Sequence, residues 1–308
     1  MVFGGGTSRP APAWSPQPRR RNPSERQSMI KLVLTDMDNT LIPFGAERVS
    51  PRAMDAIREL RAAGVEFGPA TGRDTQELMR FFGGDDSAFQ TGILSNGKKI
   101  YVDGELRRKS LINNAALQRL SDYVRGFEHC FVTAYPLAND ETNPAWCIAT
   151  TEADAAPYAE RFKFACTLAD AVSEDELIAA TVACPLGQDV LEKIKAGGME
   201  ACPEFDLVQP VDAWCDVVPH GLNKGTALPM LLDAMGISQD EVVFFGDAEN
   251  DLALMGALEN SVAVANATPA AAAAARYHIG RCDEDSVAAV LEEIACATRE
   301  GRTPRFML

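Results

Sequence analysis

Ile30-Lys31-Leu32-Val33-Leu34-Thr35-Asp36-Met37-Asp38-Asn39-Thr40 decides how the rest of the chain is read. Residues 30–35 are apolar apart from one lysine, the pattern of a strand buried on both faces in a parallel sheet. The run then stops on two carboxylates two residues apart. At the carboxyl end of such a strand both can face the crevice where open α/β sheets hold ligands, if the chain turns there. One carboxylate can attack an electrophile while the other handles the proton of the leaving group. An Asx-turn from strand to helix would use the same residues for structure alone.

Working outward, strands and helices alternate. Ser50 caps a helix with Pro51 in its first turn, Met54, Ile57 and Leu60 on one face, and Gly64 as a stop. Residues 65–70 read as a second strand. Asp74 and Glu77 form a capping-box pattern ahead of Leu78, Phe81 and Phe82, and 92–95 read as a third strand. The pattern then changes. Asp103-Gly104 signals a hairpin over 99–109, 115–127 reads as helix, and 131–135, 146–150 and 177–184 read as strands. A helix over 189–195 is expected to end at Gly197-Gly198, followed by a hairpin of 205–211 and 214–218. Alternation resumes with a helix over 224–235 between Asn223 and Gly236, a strand at 241–245, a helix at 250–258 and a strand at 261–265. Helices over 270–276, behind Thr268-Pro269, and over 286–298 complete it. Alternation of this kind implies a parallel sheet, here from 29–100 and 217–301, interrupted by an α+β unit at 101–216.

The 308 residues are 46% apolar and 24% charged, ordinary globular composition for about two domains. Mean hydropathy is −0.10 and no apolar run approaches the ~18 residues that span a bilayer, which excludes an integral membrane protein. With 29 Lys and Arg against 44 Asp and Glu, the net charge of −15 repels nucleic-acid backbones but leaves room for one cation in a pocket to bind a small anion. The eight cysteines show no C-x-x-C pair or zinc spacing, and read as reduced, mostly buried residues of a cytoplasmic protein. Residues 1–28, with Gly4-Gly5-Gly6, five prolines and Arg19-Arg20-Arg21, read as a disordered extension. Oligomeric state is not legible in the pattern.

Three more polar clusters follow strands or open helices. Gly246-Asp247-Ala248-Glu249-Asn250-Asp251 follows the apolar run at 241–245. Acids there suit a hard cation such as Mg²⁺, although a helix N-terminus also attracts acids. Lys224 lies in the first turn of a helix, where the macrodipole disfavours a lysine but where free backbone N–H groups and a cation together suit a phosphate. A solvated lysine is the plainer alternative. Thr71 and Gly72, after the second strand, can hold a phosphate oxygen or merely cap the next helix. His220 reads as a solvated loop residue, and Trp146 and Trp214 as packing residues. All four clusters could share one rim of one sheet, and together they supply what phosphoryl transfer needs: a nucleophile, an acid/base, a metal ligand and a cation.

With Asp36-x-Asp38-x-Thr40, Ala70-Thr71-Gly72-Arg73, Ser95-Asn96-Gly97, Gly221-Leu222-Asn223-Lys224-Gly225, Gly246-Asp247-x-x-Asn250-Asp251 and Val264-Ala265-Asn266-Ala267 in place, the chain resembles haloacid dehalogenase superfamily phosphatases of the Cof-like subgroup with a type IIB cap. The resemblance runs from Met29 to about residue 300. Asn39 and Ser286 stand where many members have glycine, and neither removes a functional group. The resemblance implies an α/β fold, a Rossmann-like core carrying an inserted α+β cap. It implies that Asp36 is the nucleophile, forming an aspartyl-phosphate, and that Asp38 is the general acid and base, starting protonated. Mg²⁺ would be held by the Asp36 carboxylate, the Asp38 main-chain carbonyl and Asp247. Thr71, Gly72, Lys224 and Asn250 would hold the phosphate, with Asp251 orienting Lys224 or the waters of the metal. The expected substrate is a small phosphorylated metabolite, a sugar phosphate first, with flavin mononucleotide and pyridoxal phosphate behind. A sugar phosphomutase of the same superfamily and a catalytically idle metabolite-binding protein are the competing readings.

Overall fold

The computed structural model describes residues 29–43, 45–137, 144–162 and 164–308; the expected extension at 1–28 lies outside the described residues. The chain opens with β1 (Leu32–Thr35), α1 (Pro51–Ala62), β2 (Glu66–Pro69), α2 (Thr75–Phe81), β3 (Gly92–Leu94), β4 (Lys99–Val102) and β5 (Glu105–Lys109). It continues through α3 (Asn114–Val124), β6 (Phe131–Pro136), β7 (Ala145–Ile148), α4 (Glu152–Phe162), β8 (Cys166–Ala169), β9 (Leu177–Ala183), α5 (Gln188–Ala201), β10 (Phe205–Val211) and β11 (Trp214–Pro219). The last stretch is α6 (Lys224–Met235), β12 (Val242–Gly246), α7 (Leu252–Ala257), β13 (Ser261–Ala263), α8 (Pro269–Ala274), β14 (Tyr277–His278) and α9 (Ser286–Glu300).

Five strands form a parallel sheet in the order β14-β13-β12-β1-β2. β1 lies inside it, with Leu32 opposite both Val242 and Glu66. Its four residues are fully buried, because alternate side chains feed two cores. Val33 packs with Ile57, Leu60, Leu291 and Ile294 under α1 and α9. Leu32 and Leu34 pack with Leu228, Leu231 and Leu254 under α6 and α7. Burying each such side chain contributes about 1.5–3 kcal/mol. The helices begin where their caps say: Ser50, Asp74, Asn223 and Thr268 each accept a backbone N–H of the first turn.

β3 follows the sequence reading in part. It lies parallel to the segment that continues β2, through the Ala70–Ile93 bridge and the bond from the Thr71 N–H to the Ile93 carbonyl at 2.9 Å, and it also pairs antiparallel with β4 in a three-stranded sheet β3-β4-β5. The hairpin at Asp103-Gly104 folds back and occupies its edge. Ile100 and Val102 of that hairpin are buried with Leu228 and Leu231 of α6.

A second sheet runs β10-β11-β9-β6-β7-β8, with only β7 and β8 paired in parallel. α3 and α5 cover one face through Leu117, Leu120, Leu191 and Ile194. α4 covers part of the other, through Ala155 and Tyr158 against Phe131 and Trp214. The sequence reading omits α4 and β8; Pro157 within α4 breaks the helical pattern there. It also ends α5 too early, since the helix runs through Gly197-Gly198 to Ala201. Those glycines are packing devices: a Cβ on Gly197 would sit 2.0 Å from the Tyr123 hydroxyl, and one on Gly198 would meet Leu207 and Leu120 at 2.9 and 3.0 Å.

Candidate active site

The carboxyl ends of β1 and β12 lie side by side, and the next residue of each chain segment is an aspartate. The backbone N–H of Asp36 still bonds to the Phe245 carbonyl at 2.8 Å, so its side chain starts from a rigid ladder position. Lys224 enters from the first turn of α6 and is buried to 1% exposure. Its ammonium donates to Asp36 Oδ1 at 2.6 Å and to Asp251 Oδ1 at 2.8 Å. Asp251 spends its other oxygen on the backbone N–H groups of Asp247 and Ala248, at 3.0 and 3.2 Å. A Cβ on Gly246 would lie 2.7 Å from that oxygen, so only glycine lets Asp251 reach under the loop. Asp247 Oδ1 accepts the Thr40 hydroxyl at 2.8 Å.

Asp36, Asp247 and Asp251 are all buried and bring ligand-capable oxygens within 4.8 Å of one another. Three carboxylates face one ammonium, an excess of negative charge that burial makes costly. Burial pushes the Asp36 carboxyl up, against the pull of Lys224, and Asp251 and Asp247 push it further. Burial likewise moves Asp247 up to about 6, against the Thr40 hydrogen bond. Burial disfavours the Lys224 ammonium, but Asp36 and Asp251 outweigh it and hold the lysine above its ordinary range. Asp36 Oδ2 and Asp247 Oδ2 make no hydrogen bond within the described residues. The donor set fits a hard divalent cation: all oxygen, doubly negative in excess, with two carboxylate oxygens left over.

The remaining expected site residues are placed as follows. Thr71 is buried, and its hydroxyl oxygen accepts the Arg73 N–H at 3.1 Å. Gly72 lies against Asn96, whose amide a Cβ would approach to 3.1 Å. Asn250 is exposed in the single turn Glu249–Asp251. The Asp38 carboxylate is not in the buried cluster. It is half-exposed and lies against Arg73, which bonds both of its oxygens at 2.9 and 3.0 Å while also reaching Glu77. Asn39, with φ 60°, turns the chain directly after Asp38. Its carbonyl accepts the Asn266 amide at 2.8 Å, which ties the first loop to the one after β13.

Sequence reasoning gave no role to Thr40, Arg73, Lys98 or Asp216. Thr40 and Arg73 stand inside quoted motifs, and only their partners reveal them. Lys98 and Asp216 line a cavity of about 870 Å³ that opens beside Gly72 and Asn96 and runs up to the six-stranded sheet. Trp214, expected to pack, does so against Tyr158 but also lines this cavity.

The profile of the haloacid dehalogenase-like hydrolase family matches residues 33–291. The chain is similar to the 5-amino-6-(5-phospho-D-ribitylamino)uracil phosphatase YbjI of Escherichia coli K12, at 24% identity over 273 residues, covering 86% of this chain and 96% of that protein. Among solved structures it is similar to the phosphatase BT1666 of Bacteroides thetaiotaomicron, with TM-score 0.68 and 21% identity over 86% of this chain and 95% of that one. It is also similar to the subclass IIB sugar phosphatase BT4131, with TM-score 0.63 and 20% identity over 88% and 99% of the two chains. At such identities the structural likeness speaks for the fold. No helix among the described residues is long and apolar enough to cross a membrane, and all eight cysteines are free.

Proposed function

The chain belongs to the haloacid dehalogenase-like hydrolase family, as a phosphatase of its Cof-like branch, and from that premise we propose that it hydrolyses small phosphomonoesters, sugar phosphates first, through an aspartyl-phosphate on Asp36. The observation that carries this reading is the buried cluster of Lys224 bonded to both Asp36 and Asp251, with Asp247 beside them. A carboxylate wedged against a buried ammonium, with its second oxygen free, is a positioned nucleophile.

Each residue then has a task. Asp36 attacks phosphorus with the oxygen Lys224 does not hold. Lys224 offsets the charge of the incoming phosphate, and Asp251 keeps that ammonium in place. Thr71, Gly72 and Asn250 hold the oxygens that are not transferred. Asp38 protonates the leaving alkoxide and later takes a proton from the hydrolytic water. Arg73 holds the Asp38 carboxylate by both oxygens and sets the direction from which it works. Asp36, Asp247 and the Asp38 main-chain carbonyl would hold Mg²⁺, which supplies charge neutralisation for the in-line displacement. The six-stranded sheet with its helices serves as the cap that closes over the substrate.

The test is phosphate release from a panel of phosphomonoesters with Mg²⁺, with EDTA as control. Activity that needs Mg²⁺ and vanishes in Asp36→Asn, while the far-ultraviolet spectrum is retained, is the expected outcome. Near-wild-type turnover by that variant rules out Asp36 as nucleophile.

A further inference from the structure

The cavity between the two sheets holds a cation that the phosphate chemistry does not use. Lys98 follows the Ser95-Asn96-Gly97 turn, is only 8% exposed, and has no carboxylate within ion-pair distance among the described residues. Its neighbour Lys99, by contrast, is matched by Asp74 at 2.7 Å. The carboxylate that Lys98 feels most strongly is Asp216, which descends from β11 in the opposite sheet. Asp216 is itself largely enclosed and accepts one hydrogen bond from the Trp214 indole at 3.3 Å. Burial lowers the Lys98 ammonium and raises the Asp216 carboxyl, each opposed by the other, as for an ion pair held apart.

An ammonium only donates and a carboxylate only accepts. A group that accepts from Lys98 and donates to Asp216 satisfies both, and a hydroxyl does this with one oxygen. A second anion on the substrate would gain Lys98 but face Asp216. A cation would meet the reverse. Of the other charges that line the cavity, Lys99 is matched by Asp74 and Glu77 by Arg73, while the Arg80 guanidinium lies over the Phe81 ring. Beside Asp216 the ceiling is aromatic, with Tyr135 and Trp214 set around Phe164 at centroid distances of 5.7 and 6.2 Å, surfaces that suit the C–H faces of a polyol.

We propose that Lys98 and Asp216 act as a split pair that selects the leaving group by a hydroxyl, so that the substrate is the phosphomonoester of a neutral, polyhydroxylated alcohol. The proposal rests on the phosphatase reading above and adds the two residues that set its specificity.

Glucitol 6-phosphate, hexyl phosphate and 6-phosphogluconate share a six-carbon chain and differ in hydroxyls and in a second anion. In the full-length protein, Lys98→Met and Asp216→Asn are each expected to lower the kcat/KM ratio of glucitol 6-phosphate to hexyl phosphate at least tenfold, mainly through KM. The double variant should lose little more than either alone, and Lys98→Arg should regain much of the ratio. Ratios within twofold of wild type in both single variants overturn the proposal, as does a wild-type preference for 6-phosphogluconate. Should wild type release phosphate from none of the three, the phosphatase reading fails while the pair remains testable. Calorimetric titration of glucitol 6-phosphate into the Asp36→Asn protein then reads it without turnover: a Kd at least tenfold weaker after Lys98→Met supports the pair, and an equal Kd overturns it.

Discussion

Arg73 grips both oxygens of the Asp38 carboxylate, Nε on Oδ2 at 2.9 Å and Nη2 on Oδ1 at 3.0 Å. The two residues come from loops after different strands, β1 and β2. A planar fork of this kind fixes the direction of a carboxylate as well as its distance. It holds Asp38 half-exposed while Asp36 is buried against Lys224, so the two aspartates of one short motif occupy opposite environments, one dry and one wet.

Arg73 therefore acts as a positioning residue. Arg73→Gln should lower kcat by roughly ten- to a hundredfold, within the span of general acid–base contributions. Its melting temperature should stay within a few degrees of wild type, because partly exposed pairs add little stability. Arg73→Lys, a point charge without the fork, should recover only part of the rate. An unchanged kcat in Arg73→Gln would make the pair a resting surface contact.

The excess charge of the aspartate cluster predicts stabilisation by a divalent cation. MgCl₂ should raise the melting temperature of wild type, by the equivalent of about 2.7 kcal/mol at a hundred times Kd. Asp247→Asn removes one ligand oxygen and one charge, and its melting temperature should respond much less. Differential scanning fluorimetry with and without Mg²⁺ checks both. Equal responses from the two proteins would place the cation elsewhere.

Lys224 is the most costly residue of the cluster to lose. Lys224→Met leaves Asp36 and Asp251 buried without a counter-charge, a loss of about 3–5 kcal/mol. Adding Asp36→Asn to that variant removes one of the stranded charges and should restore part of the stability. Urea unfolding of the two single variants and the double variant measures the coupling; strict additivity would mean the three groups do not share charge.

Asp74 gives the fold a pH-dependent joint. Burial raises its carboxyl, but the Lys99 ammonium at 2.7 Å and the N–H and hydroxyl of Thr75 outweigh burial and hold it below the usual range. A depressed carboxyl stabilises the folded state above its unfolded value near 3.8, and that contribution fades as pH falls below it. Asp74→Asn should thus lower the melting temperature at pH 6, and the gap to wild type should narrow as pH drops below about 4. A gap that stays constant with pH would assign the effect to capping alone.

Local pattern determined much of this protein. Full burial of 32–35, the caps at Ser50, Asp74, Asn223 and Thr268, and the acids that follow two apolar strands are legible because each depends on residues a few positions apart. Hydrophobic period and capping are short-range physics, so one sequence displays them. That the polar clusters could share one rim also follows, since strands running parallel must end on the same side of their sheet.

Tertiary structure decided the rest, through contacts between residues far apart in the chain. Gly197-Gly198 looks like a helix stop until Tyr123, Leu120 and Leu207 are seen occupying the missing side-chain space. β3 reads as one more parallel strand, and only the structure shows β4 pairing with it antiparallel. Asp38 meets Arg73 across 35 residues and Lys224 meets Asp36 across 188. Lys98 faces Asp216 only because two sheets stack with a cavity between them. No propensity encodes such meetings: their energies come from burial and charge pairing, which exist only once the distant segments have come together.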